Sequence, residues 1–155
     1  MKSKTGNKRA RGDRFEKKIE SFLQSLGWIT ERAHPRLKFI RPGITRSVSH
    51  DFWGCFDLIS LHRQTAHSLL IQASIAKQLA NKKKAAIDEM LGPKDLPQWP
   101  HYVQVWLRDD SARNRIIVLQ RTNQGAWIET SFRMEEGVWP SHVIGPEPNQ
   151  PTCPI

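Results

Sequence analysis

A carboxylate set inside an apolar segment constrains this chain more than any other feature. Asp51-Phe52-Trp53-Gly54-Cys55-Phe56-Asp57-Leu58-Ile59-Ser60-Leu61 reads as a strand apolar on both faces, and therefore central and covered on both sides. Asp57 stands in the middle of it. A buried carboxylate costs several kcal/mol unless something pairs with it. The second strand, Ser68 to Ile75, follows a short polar connection, His62 to His67, so the two form an antiparallel hairpin. With the turn centred between Gln64 and Thr65, Asp57 faces Gln72 and Cys55 faces Ser74 on one side of the sheet. A shift of one residue would turn Asp57 toward apolar neighbours.

The flanking elements bring further polar groups toward this hairpin. Asp13 is placed to cap a helix running to about Leu26 and ended by Gly27. Phe15, Ile19, Phe22, Leu23 and Leu26 form its apolar stripe, with Glu16 at the rim and Glu20 further out. A second helix is expected over 76–91, ended by Gly92-Pro93. Lys83 falls within its apolar arc, with Lys77 and Lys84 at the edge. Trp28 to Arg32 reads as an edge strand. Two later strands, 101–107 and 115–120, precede a small terminal hairpin over 126–130. The fold expected is α/β, with a central mixed sheet of about four or five strands flanked by helices. Its single domain spans 13–139, between a disordered basic arm over 1–12 and an irregular Pro-rich tail over 140–155.

Composition narrows the partner. The 155 residues carry 24 Lys and Arg against 15 Asp and Glu, a net charge of +9, which favours a polyanion. DNA is the partner expected, with RNA as the alternative. Lys8, Arg9 and Arg11 in the arm are expected to lie on phosphates. So are Arg32, at the end of the edge strand, and Arg36, Lys38, Arg41 and Arg46 in what reads as a long basic loop broken by Pro35, Pro42 and Gly43. No apolar run is long enough to span a membrane. Two cysteines without a disulfide framework point to a reducing, cytoplasmic setting. His62 and His67 read as surface residues. Trp53, Trp106 and Trp127 read as core, with Trp99 and Trp139 freer. Ser74 lacks a His/Asp relay and is not a nucleophile.

A divalent cation accounts best for Asp57, Gln72, Glu16 and an inward lysine together. Mg²⁺ takes oxygen ligands and is usually held by one or two carboxylates with water and substrate phosphate. Asp57 would be the direct ligand, Gln72 and the Ala73 carbonyl would complete the protein side, and Glu16 would hold a bound water. Over 12–107, with Gly12-x-x-Phe15-Glu16, Gly27-Trp28, Gly54-Cys55-Phe56-Asp57-Leu58-Ile59 and Leu70-Ile71-Gln72-Ala73-Ser74, the chain resembles the PD-(D/E)xK nuclease superfamily. Within it the likeness is to the Holliday junction resolvase-like and Mrr-like branch.

The resemblance implies a restriction-endonuclease-like core and an endonuclease that uses Mg²⁺ or Mn²⁺ to hydrolyse DNA phosphodiesters, including structured or branched DNA. Relatives of this kind often act as homodimers. Carried across, Glu16 matches the helical acid, Asp57 the metal-binding aspartate, Gln72 the second acidic position and Ser74 the lysine position. Because Gln72-Ala73-Ser74 replaces Glu/Asp-x-Lys, the catalytic lysine is expected from the next helix, Lys83 first and Lys77 second. The alternative is a nucleic-acid-binding protein that kept the fold and lost the chemistry.

Overall fold

Central strands buried on both faces, and one apolar stripe on each long helix, decide the architecture of the computed structural model, which describes residues 4–34, 36–48, 51–65, 67–92 and 101–148. Helix α1 is Lys4–Ser25, followed by β1 (Trp28–Arg32), β2 (Arg36–Arg41), β3 (Ile44–Val48), β4 (Leu58–His62) and β5 (Ser68–Ser74). A single 3-10 turn, Lys77–Leu79, leads into α2 (Ala80–Leu91). Then come β6 (His101–Arg108), β7 (Arg115–Arg121), β8 (Trp127–Arg133) and α3 (Ser141–Ile144).

Six strands form a mixed sheet in the order β1-β4-β5-β6-β7-β8. Only β5 and β6 run parallel, joined by the crossover that contains α2. The structure is thus α/β with helices on the sheet, one strand wider than expected, because β8 pairs with β7 along its whole length. On one face Phe15, Ile19, Phe22 and Leu23 of α1 pack against Leu58, Leu69, Ile71 and Trp106. On the other, Ile87 of α2 packs with Phe56, Leu70, Val103 and Val105. Every residue of β5 is buried, as a strand covered on both faces requires.

The hairpin register is the one expected: Leu58 lies opposite Ile71 and Ser60 opposite Leu69. The strand itself is shorter than expected, so Asp57 stands immediately before β4 and not inside it. Residues 51–57 instead fold back through a tight turn. Phe52 and Phe56 pair across it, with Gly54 N donating to Asp51 O at 3.1 Å and Phe56 N to Phe52 O at 3.0 Å. The turn needs positive φ at Trp53 (51°) and Gly54 (76°), which no strand allows. Cys55 sits in this turn, so it has no strand position opposite Ser74.

Three other expectations change. The first helix begins at Lys4, so 4–12 continue it instead of forming a disordered arm, and Asp13 lies mid-helix without capping it. Lys, Arg and Ala are good helix formers, and Asp13 pairs with Lys17 at 3.1 Å, one turn on. The basic segment over 36–48 is a two-stranded hairpin, β2 against β3, not a loop. Pro42-Gly43 makes its turn, with Gly43 at φ 81°. In the Pro-rich end, α3 sends Val143 and Ile144 into the core. The linker expected over 93–100 and the end of the tail, 149–155, lie outside the described residues.

Candidate functional site

Asp57 is held by the strand it faces. Gln72 Nε2 donates to Asp57 Oδ2, and the Ala73 backbone N–H donates to the same oxygen at 2.8 Å. The Asp57 backbone N donates to Ile71 O at 2.9 Å and Ala33 N to Asp57 O at 2.7 Å, so the residue is fastened to both neighbouring strands. Gln72 Nε2 also donates to Ala73 O at 3.2 Å, which directs its Oε1 to the other side of the amide. The partner left open by the sequence is therefore in part the protein itself. Even so, Asp57 is raised to about 6: burial and the negative charge of Asp51 outweigh the bonds from Ala73 and Gln72 and the positive charge of Lys83.

Glu16 approaches from the other layer. Gln72 shares the face of Leu70, on the α2 side of the sheet, whereas Glu16 belongs to α1 on the opposite side. It is raised to about 7, first by burial and then by the charge of Asp57, with Arg32 pulling the other way. The two carboxylates therefore repel across the end of the sheet where β5 finishes. Among the described residues, no group of three His, Cys, Asp or Glu comes together in a way that could hold a metal ion.

The expected cations separate by role. Lys83 is half-buried and its charge is felt at Asp57, whereas Lys77 is exposed and its charge is felt at Asp109, toward the turn after β6. Arg32 is corrected from a phosphate-binding residue to an internal one. It is 12% exposed and meets three acids of α1: Glu20 at 2.7 Å, Asp13 at 3.0 Å and Glu16 at 3.9 Å. A guanidinium so engaged has no fork left for a phosphate. Lys8, Arg9 and Arg11 lie exposed on the first turns of α1. Lys38 stands opposite Arg46 in the β2–β3 hairpin, with Arg36 at its open end and Arg41 at its turn.

Ser74 is buried, and its hydroxyl exchanges 3.2 Å bonds with the backbone of Ala76, shaping the exit from β5. It supplies no charge where the resemblance has a lysine. Cys55 is pushed up to about 11 by burial and by Asp51 and Asp57, so its thiol stays neutral. His62 is buried, not on the surface, and lies edge-on between Trp28 and Trp139. Trp139 stacks on Trp28 and donates to Gly145 O at 2.8 Å, so it is not free. Trp53, expected in the core, is 64% exposed, because the positive-φ turn swings it outward. Trp106 is fully buried, and Trp127 is half-buried with its Nε1 on Asp88 at 3.1 Å. Trp99 lies outside the described residues.

No protein-family model matches the chain, and no curated protein or solved structure matches it either. Among the described residues, no helix is long and apolar enough to cross a membrane.

Proposed function

We propose that this protein is a metal-dependent endonuclease that hydrolyses DNA phosphodiesters, with the PD-(D/E)xK-like arrangement as its scaffold. One observation carries the reading: two carboxylates from different layers are both raised at one end of the sheet, Asp57 by burial and the charge of Asp51, Glu16 by burial and the charge of Asp57. Mutually repelling buried acids with a lysine nearby are arranged for a task, since such a cluster disfavours the isolated fold. The chain order supports it. Helix, strand, hairpin, helix and parallel strand deliver Glu16, Asp57, Gln72 and Lys83 in the sequence that the resemblance implies.

The donor set fits Mg²⁺ or Mn²⁺: hard oxygens, with one or two carboxylates and the remaining positions for water and phosphate. Asp57 would be the direct ligand, with Glu16 holding a bound water. Gln72 Oε1 joins only after its amide turns, because Nε2 now faces Asp57. The ion, when bound, would lower the pKa of water and stabilise charge on phosphate oxygens. Glu16, raised to about 7 by burial and the charge of Asp57, would be drawn toward its ionised form by a bound cation and could then accept a proton from the bound water. Lys83 supplies the positive charge that Ser74 lacks.

The second reading, a nucleic-acid-binding protein without chemistry, is favoured by the bond from Gln72 Nε2 to Asp57 and by the serine at position 74. Plasmid and branched-DNA nicking with Mg²⁺ or Mn²⁺ separates the two. Wild type is expected to cut and Asp57→Ala to be inert while still binding DNA. No metal-dependent cleavage by wild type, with DNA binding intact, selects the second reading.

A further inference from the structure

A basic cleft lies beyond the carboxylate site, at the end of the sheet where β5 and β6 finish. It has a volume of about 690 Å³ and is formed by α1 and the turn between β6 and β7. Arg11, Arg14 and Lys18 of α1 line one wall. At about 100° per residue they fall within an arc of roughly 60°, while Glu16 lies about 200° from Arg14, on the other side of the helix. Arg113 projects from the turn opposite. Phe15 and Ile116 lie beneath and belong to the core, so the walls stand on packed elements.

The charges sort into engaged and unengaged groups. Arg108 pairs with Asp110 at 3.2 Å and Arg115 with Asp109 at 3.6 Å, which neutralises both acids of the turn. Lys18 Nζ donates to Asn114, an uncharged partner. Arg11, Arg14 and Arg113 have no carboxylate partner among the described residues and are exposed. Four cations thus remain uncompensated around one cleft. Like charges gathered this way repel one another, and an anion across them relieves that repulsion.

We infer that this cleft seats the phosphodiester backbone of DNA and leads it toward the carboxylate site. Arg11 to Lys18 spans roughly 10 Å along the helix at 1.5 Å per residue, longer than any single phosphate group and suited to successive ones. Lys77 comes three residues after the end of β5, and its charge is felt at Asp109 on the rim. Guanidinium groups grip phosphate oxygens without reading bases, so these contacts position the strand and carry no sequence preference. The inference rests on the nucleic-acid part of the reading above and not on its chemistry.

The test is fluorescence anisotropy of a labelled DNA duplex over a salt series. It compares wild type with the triple variant Arg11→Ala, Arg14→Ala, Arg113→Ala and with Asp57→Ala. All three substituted arginines are exposed and unpaired, and circular dichroism should show the triple variant folded. It should bind about tenfold or more weakly near physiological salt, with the slope of log K against log salt shallower by about 2 to 3, close to 0.9 per lost phosphate contact. Asp57→Ala should keep the wild-type slope. A triple variant with unchanged affinity and slope, while wild type binds, overturns the cleft and leaves the nuclease reading standing. Failure of wild type to bind DNA overturns both. Displacement of DNA by micromolar inorganic pyrophosphate would reassign the cleft to a small anion and also overturn the inference.

Discussion

Replacing Asp57 by Asn should make the folded protein more stable at neutral pH while removing the proposed cleavage of DNA. Asn keeps the shape, and its Oδ1 can accept from Gln72 Nε2 and the Ala73 N–H as the carboxylate oxygen does. What disappears is a buried negative charge beside Asp51 and Glu16. Asp57 rises from 3.8 unfolded to about 6 folded. At 1.36 kcal/mol per unit, its ionisation therefore costs the native state about 3 kcal/mol. Because the folded value is the raised one, the contribution of Asp57 to stability is most favourable below about pH 4. That contribution falls as pH rises through about 6, and the contribution of Glu16 falls through about 7. Urea and thermal unfolding at pH 4 and pH 8 measure this. At pH 8 Asp57→Asn should exceed wild type by about 3 kcal/mol, or roughly 6–12 °C for a domain of this size. At pH 4 the two should nearly coincide. Saturating Mg²⁺ should close the gap from the wild-type side, adding about 2.7 kcal/mol at a hundred times its Kd and nothing to the variant. A variant less stable than wild type at pH 8 would refute the reasoning. It would mean that the charge-assisted bonds to Asp57 outweigh its burial.

Three further outcomes are expected. Lys83→Ala should abolish cleavage with DNA affinity nearly unchanged and raise the Asp57 pKa further, read by carboxyl NMR; Lys77→Ala should leave that pKa where it is. Gln72→Glu should place a second carboxylate against Asp57, lowering stability in chelator by about 2 kcal/mol and tightening Mg²⁺ or Mn²⁺ binding in calorimetry. Gln104→Ala should cost about 2–4 kcal/mol in urea unfolding. Its amide joins Trp106 Nε1 at 2.7 Å, Gln120 Oε1 at 2.9 Å and Val143 O at 2.6 Å, tying α3 to the sheet.

Local patterns carried much of this architecture. The strands after residue 57, the stop of α1 before Gly27 and the end of α2 at Gly92 follow from apolar periodicity and from glycine, which need no distant partner to be read. The hairpin register was legible because β5, buried on both faces, tolerates only one alignment of its polar residues against β4. Features set by distant contacts were not. Arg32 looked like a free cation in sequence, but α1 carries Asp13, Glu16 and Glu20 to it. His62 and Trp139 looked exposed because nothing local announces that they close around Trp28. Trp53 looked buried because an apolar run hides a turn, and the Asp51 to Gly54 spacing was the available signal. The cleft on α1 was half legible, since Arg11, Arg14 and Lys18 share a helical face; Arg113, its other wall, is nearly a hundred residues away.

The sequence by itself determined that Asp57 would be buried, that Gln72 would oppose it, and that the chain would carry a net charge of +9. Those follow from side-chain alternation and from charge, both written along the chain. Only the tertiary structure decided how Asp57 is satisfied, that Glu16 reaches it by charge from the opposite layer, and which cations remain unpaired. These depend on through-space distances between elements, and electrostatic interaction in a low-dielectric interior is governed by that separation and not by position along the chain.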